Sequence, residues 1–232
     1  YNTRLEADGI IAIKIRGDDE LVGVQLTSGE DDLLLVSKSG HASRFNEEQA
    51  RPMGRGTSGV KGMNVSQKDN RVLALNVARD DAELLVVTEN GFGKRTALSE
   101  YPIKNRGTKG VLTAKLTETK GGLAGALIVR EHQDLLFITE NGMVQRTSVE
   151  GIRKTGRPTQ GVKVMNVREG DHISAVALVV ESDATGDEDE LIPAQEGLDG
   201  VEAGLENPSV EEADSAVTED GVQAEGETEA SG

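Results

Sequence analysis

Three stretches of this chain share one pattern: four apolar positions in a row, a polar turn ending in glycine, then mixed polar and apolar positions. They are LLLVSKSGHASRF (33–45), LLVVTENGFGKRT (84–96) and LLFITENGMVQRT (135–147). An uninterrupted apolar run of this length, bounded by turn residues, predicts a strand buried on both faces, and the segment after the turn predicts its hairpin partner. Asn90-Gly91 and Asn141-Gly142 are strong turn signals, because Asn and Gly accept the positive φ of a tight hairpin. Gly40, Gly91 and Gly142 stand 51 residues apart, and Arg44, Arg95 and Arg146 keep the same interval.

A second constellation follows each hairpin in the same register: RGTSGVK (55–61), RGTKGVL (106–112) and RPTQGVK (157–163). Two further strand-like segments then complete each unit. They are Val60–Val65 with Val72–Val77, Val111–Leu116 with Leu123–Val129, and Val162–Val167 with Ile173–Val180. In the second unit the hairpin strands are Leu84–Thr88 and Phe92–Thr96. GIIAIKI (9–15) and ELVGVQL (20–26) match the last two segments of a unit, so the chain reads as half a unit followed by three whole ones. No stretch of 1–182 sustains a helical period, which makes the class all-β. Four short strands per period of about 50 residues have the dimensions of a propeller blade. A solenoid is the alternative, and it accounts less well for four strands per period. The expected divisions are a half blade at 1–30, blades at about 31–80, 81–132 and 133–182, and a separate tail at 183–232. An incomplete set of blades leaves strand edges open, so partners upstream are expected. Tyr1 in place of an initiating Met suggests a piece of a longer polypeptide.

Composition changes this picture in one respect. The 232 residues carry 25 Lys+Arg and 41 Asp+Glu, a net charge of −16, which taken whole argues against a nucleic-acid partner. The charge is unevenly spread. Residues 183–232 hold 17 acidic and no basic side chains, leaving 24 acidic against 25 basic in 1–182, a net of +1. The tail is too acidic and too poor in apolar residues to fold alone, and is expected to be disordered. With no Cys there is no disulfide or thiolate metal site, and no apolar run is long enough to span a membrane. His41, His132 and His172 fall at unrelated repeat positions, so no metal site is expected. GRGTSG (54–59) satisfies the dinucleotide fingerprint in letters alone, because no helix pattern follows it.

The stretches RFNEEQARPMGRGTSGVKG (44–62), ENGFGKRTALSEY (89–101) and ENGMVQRTSVEGIRKTGRPTQGVKVMNV (140–167) resemble the C-terminal domain of the A subunit of bacterial DNA gyrase. The likeness runs from about Tyr1 to Glu181, and the A subunit of topoisomerase IV is the close relative. The resemblance implies a β-pinwheel, a propeller-like disc whose four-stranded blades exchange strands, of which about three and a half blades are present here. It implies binding and chiral wrapping of double-stranded DNA within an ATP-hydrolysing type II topoisomerase, an isomerase that introduces negative supercoils. The implied partners are the B subunit of gyrase and the N-terminal part of the A subunit, two copies of each together, in the cytoplasm at the nucleoid and not at a membrane. ATP and Mg2+ would be used elsewhere in that complex, so no cofactor is expected in this chain, and no catalytic residue either. The family's QRRGGKG motif is matched by KNRGTKG at Arg106, Gly107, Lys109 and Gly110, and departed from at Lys104, Asn105 and Thr108.

The cations recurring at fixed blade positions form the expected phosphate track: Arg44, Arg55, Lys94, Arg95, Lys104, Arg106, Lys109, Arg146, Arg153, Lys154 and Arg157. Guanidinium and ammonium groups in such a curve position a DNA backbone without reading bases. The competing reading pairs these cations with local acids such as Glu47, Glu48, Glu100 and Glu150, and makes the chain a protein-binding propeller. Opposite charge within one chain also implies that the acidic tail competes with DNA for the track.

Overall fold

The computed structural model describes residues 9–179. The acidic tail expected to be disordered lies outside the described residues. Strands alternate with tight turns throughout, and the described residues contain two single-turn 3-10 helices, Glu47–Gln49 and Leu98–Glu100, and no α-helix. The strands are β1 (Asp32–Ser37), β2 (His41–Asn46), β3 (Val72–Ala78), β4 (Glu83–Thr88), β5 (Phe92–Ala97), β6 (Val111–Leu112), β7 (Leu123–Val129), β8 (Asp134–Thr139), β9 (Val144–Ser148), β10 (Val162–Lys163) and β11 (Ile173–Val179).

They form three antiparallel sheets in the orders β3-β1-β2-β6, β10-β5-β4-β7 and β11-β8-β9. Each predicted hairpin forms, with Leu34 opposite Arg44, Leu85 opposite Arg95 and Leu136 opposite Arg146. The fourth segment of each repeat returns beside the first strand of its own hairpin, as β3 on β1, β7 on β4 and β11 on β8. The third segment does not stay in its own blade. β6 crosses back to pair with β2, and β10 with β5, so each outer strand is supplied by the following repeat. This is the strand exchange that the resemblance implied.

The expected third strands are cut to two residues, Val111–Leu112 and Val162–Lys163. After them the chain bends inward. The N–H groups of Thr113 and Ala114 share the Gly40 carbonyl, and those of Val164 and Met165 share that of Gly91. Val60–Val65 forms no strand, nor do 9–15 and 20–26, where Ile11, Val24 and Leu26 are exposed. In the observed blades such segments pair with the preceding hairpin or with the first strand of their own. No hairpin in that position is present among the described residues for these three. The third sheet likewise has three strands in place of the expected four.

The apolar runs become legible here. In β4, Leu84 and Val86 pack with Leu34 and Val36 of the preceding blade, whereas Leu85 and Val87 pack with Leu135 and Phe137 of the next. A strand between two blades has no polar face, which is why its sequence shows no alternation. Burying a side chain of this size contributes about 1.5–3 kcal/mol, so the inter-blade seams carry most of the apolar stabilisation.

Gly91 shows how tightly the exchanged segment is seated. Its φ is +81°, and a Cβ there would lie 2.2 Å from the Met165 carbonyl oxygen. Gly142 has the same φ of +81° with nothing within 4 Å. Both Gly91→Ala and Gly142→Ala carry the cost of a left-handed backbone, about 1–2 kcal/mol, but only the former also overlaps an oxygen. Urea denaturation is expected to show a loss for Gly91→Ala at least twice that for Gly142→Ala; equal losses would contradict the seating.

Candidate nucleic-acid interface

The recurring arginine of each hairpin is where the structure departs most from the expected track. On β2, Arg44 lies diagonally across from Asp32 on β1, close enough for their side chains to meet. Its guanidinium binds Asp32 at 2.8 Å and Asp80 at 2.8 Å, and donates to the Leu98 carbonyl of the next blade at 3.2 Å. Arg95 repeats the arrangement with Glu83 at 2.9 Å and Glu131 at 3.2 Å. It also donates to the Ile152 and Glu150 carbonyls of the third blade, at 2.6 and 3.2 Å. The two side chains are only 8% and 5% exposed. Arg44 and Arg95 are therefore inter-blade clamps and leave the phosphate track. Arg146 meets Asp134 at 2.6 Å in the same way but is 56% exposed, since no further blade covers it among the described residues. The partnering acids are Asp32, Asp80, Glu83, Glu131 and Asp134, none of them among the four that sequence proximity suggested.

Lys94 is withdrawn as well. It is 1% exposed, and its ammonium donates to the carbonyls of Gly156, at 2.7 Å, and Arg157. Burial lowers its pKa from 10.5 to about 8, with Glu100 pulling it upward and Arg157 downward.

The box-like loop 104–110 is a latch onto the preceding repeat. The Arg106 N–H donates to Gln49 Oε1, and its guanidinium to the carbonyls of Gln49 and Lys61, at 2.8, 2.8 and 3.0 Å. Gly107 N–H donates to the Gly62 carbonyl at 2.6 Å, and Asn64 N–H to the Thr108 carbonyl at 2.9 Å. The loop reaches Gly110, where a Cβ would lie 2.2 Å from the Ala42 carbonyl oxygen, so the chain can approach only as glycine. Asn105 is exposed. Arg157 holds the corresponding place one repeat later, half-buried, with its N–H on Glu100 at 3.2 Å.

What stays on the surface is a narrower set. Arg55, Lys104, Lys109, Arg153 and Lys154 are exposed, and Lys154 also contacts Glu83 at 2.6 Å. Lys109 lies near His41 and, after burial, helps hold that imidazole below its usual range. Three exposed lysines escaped the sequence reading: Lys61, Lys115 and Lys163. Lys61 and Lys163 close the motifs 55–61 and 157–163, so their recurrence was visible as that of the arginines was. Lys163 stands on the outer strand β10, 5.6 Å from the Phe92 ring, and Lys120 stacks on that ring at 3.7 Å. Among the described residues no group of three or more His, Cys, Asp or Glu could hold a metal ion, and no helix is long and apolar enough to cross a membrane.

Removing one member of a buried ion pair costs about 3–5 kcal/mol, whereas an exposed pair contributes below about 1 kcal/mol. Arg95→Met is thus expected to lower the denaturation free energy several times more than Arg146→Met. Lys94 has a separate signature. The folded protein releases its proton near pH 8 and the unfolded chain near 10.5, so the unfolded state binds more protons between these values and stability rises with pH there. Denaturation measured across that window is expected to show the rise in the parent chain and a flatter profile in Lys94→Met.

A family model described as DNA gyrase C-terminal domain, beta-propeller, matches residues 7–28, 31–78, 82–130 and 133–179. The DNA gyrase A subunit of Mycolicibacterium smegmatis is 50% identical over 177 residues, covering 75% of this chain and 21% of that protein. Its Escherichia coli counterpart is 43% identical over 178 residues, covering 77% of this chain and 20% of that protein. The chain thus spans about a fifth of the length of these curated relatives. Among solved structures, a DNA gyrase A C-terminal domain superposes with a TM-score of 0.68 at 26% identity, covering 74% of this chain and 58% of that one. The C-terminal domain of a DNA topoisomerase IV superposes with a TM-score of 0.68 at 26% identity, covering 72% of this chain and 52% of that one. On the family match, on identities far above 30% and on blades that trade outer strands, this chain belongs to the family of DNA gyrase C-terminal domains.

Proposed function

We propose that this chain binds double-stranded DNA and wraps it, acting as the C-terminal part of a gyrase A subunit. In the complete type II topoisomerase one duplex is cut, another is passed through it, and ATP hydrolysis drives negative supercoiling. The cutting, the ATP and its Mg2+ belong to the N-terminal part of the A subunit, and to the B subunit, which are the partners of this chain in a cytoplasmic, nucleoid-associated assembly. The contribution of this chain is to present the neighbouring DNA segment in one sense of wrap. The curated relatives favour gyrase over topoisomerase IV, because those of highest identity carry the gyrase name.

The observation that carries the reading is the set of cations left on loops and outer strands of successive repeats: Arg55 and Lys61, then Lys104, Lys109 and Lys115, then Arg153, Lys154 and Lys163. Their partners in the fold are few, and their spacing follows the repeat, so a bent phosphate backbone can meet one group after another. Contacts of this kind hold the backbone and leave base edges unread, which favours sequences that bend at low cost.

Titration of a DNA duplex at several salt concentrations tests the reading. The logarithm of the affinity is expected to fall linearly with the logarithm of salt, by about 0.9 per phosphate neutralised. Lys104→Glu with Lys109→Glu is expected to weaken binding on every sequence and to flatten that slope by about one unit per cation removed. Closing a relaxed plasmid with ligase in the presence of the chain is expected to shift its linking number. Affinity indifferent to salt and to the double substitution would overturn the proposal.

A further inference from the structure

The two exchanged junctions within the chain define both halves of a third, and each half is present without its counterpart. The donor half is the segment 52–61. Its equivalents one and two repeats later place Val111 opposite Ala42 and Val162 opposite Gly93. Val60, the matching residue, pairs with no strand and is 40% exposed. The acceptor half is the outer edge of β9. Val144 matches Ala42 and Gly93 in register, and it is 58% exposed where those two are buried.

Glycines record the same vacancy from both sides. Gly59, Gly110 and Gly161 share a left-handed backbone, with φ of +75°, +80° and +76°. A Cβ on Gly110 or Gly161 would collide with the carbonyl of Ala42 or Gly93, whereas one on Gly59 would meet nothing within 4 Å. Gly40 and Gly91 are pressed by the carbonyls of Ala114 and Met165, whereas Gly142 has nothing within 4 Å. Gly59 thus has the backbone of a donor with no acceptor, and Gly142 that of an acceptor with no donor.

The blade faces agree. Leu34 and Val36 of one blade bury against Leu84 and Val86 of the next, and Leu85 and Val87 against Leu135 and Phe137. The corresponding outward side chains are Leu136 and Ile138 on the third blade and Leu33 and Leu35 on the first, and all four are only half-buried. Arg146 waits at the same seam, 56% exposed where Arg44 and Arg95 are clamped.

We propose that two copies of this chain join head to tail, segment 52–63 of one completing the open edge of β9 in the other. Val60 then pairs with Val144 and Lys61 with Met143, the Gly62 and Met63 N–H groups turn to the Gly142 carbonyl, and Leu33 and Leu35 cover Leu136 and Ile138. The occupant is a second copy because the donor segment, the apolar face and the clamp partners all belong to this sequence. The pairing is strand addition at an open edge through a heterologous contact, so each copy uses one different end.

Sedimentation equilibrium of the full chain, without DNA, is expected to show mass rising with concentration above that of one chain. Val60→Asp and Val144→Asp each alter an exposed side chain, and each alone is expected to remain at the mass of one chain with an unchanged melting curve. Mixed, they are expected to associate again, because one unaltered donor still meets one unaltered acceptor. The chain has no Cys, so Val60→Cys and Val144→Cys can be oxidised or bridged cleanly. A covalent pair is expected from the mixture and not from either variant alone. A mass of one chain at every soluble concentration, association untouched by both aspartates, or cross-linking of either cysteine variant with itself would overturn the proposal and leave the edge to a different occupant.

Discussion

The exchange of a two-residue outer strand between successive repeats is the constraint from which the rest of this structure follows. A blade made from one repeat alone would expose an unpaired edge beside the hairpin and two apolar faces. Lending Val111–Leu112 to the first blade and Val162–Lys163 to the second ties each repeat to the one before it. The loan fixes the spacing of the blades, and the spacing sets which side chains meet across the seam. Leu85 and Val87 meet Leu135 and Phe137 because β10 and the loop before it hold the third blade against the second.

The same seam consumes charges that would otherwise face solvent. Arg95 reaches across it to two backbone carbonyls while two carboxylates of its own blade neutralise it. An arginine suits this place because its planar group offers five donors in fixed directions, enough for acids and carbonyls together. Lys94 solves a related problem with a single ammonium, at the expense of a lowered pKa. The division of labour is then physical: cations whose side chains cross the seam hold blades together, and cations on the loops and outer strands beyond it face the solvent.

Recurrence along the sequence signalled both kinds of role equally. Arg44, Arg95 and Arg146 recur every 51 residues because the seam recurs, and Lys61 and Lys163 recur because the surface does. Periodicity alone gives no sign of depth. One feature that separates them is the acid twelve positions earlier, Asp32, Glu83 and Asp134, which repeats with the arginine. A cation that recurs together with an anion across a predicted hairpin is already paired, whereas Lys61 and Lys163 have no such companion. The near acids Glu47, Glu48 and Glu100 were distractors, since proximity along a strand and its following turn does not place two side chains on one face.

The sequence by itself determined the repeat, the hairpins with their Asn-Gly turns, and the all-β class, because these rest on local backbone preference and on apolar runs that have one buried solution. It also separated a near-neutral body from an acidic tail by counting alone. Only the tertiary structure decided that the third segment of each repeat leaves its own blade, that it shortens to two residues, and that Val60 and 9–26 remain without ladder partners. It alone turned Arg44, Arg95 and Lys94 from candidate phosphate ligands into buried ties. The physical reason is common to all of these: which edge a strand pairs with, and which side of a seam a long side chain enters, depend on neighbours half a hundred residues away. No local pattern of polar and apolar positions encodes that neighbour's position.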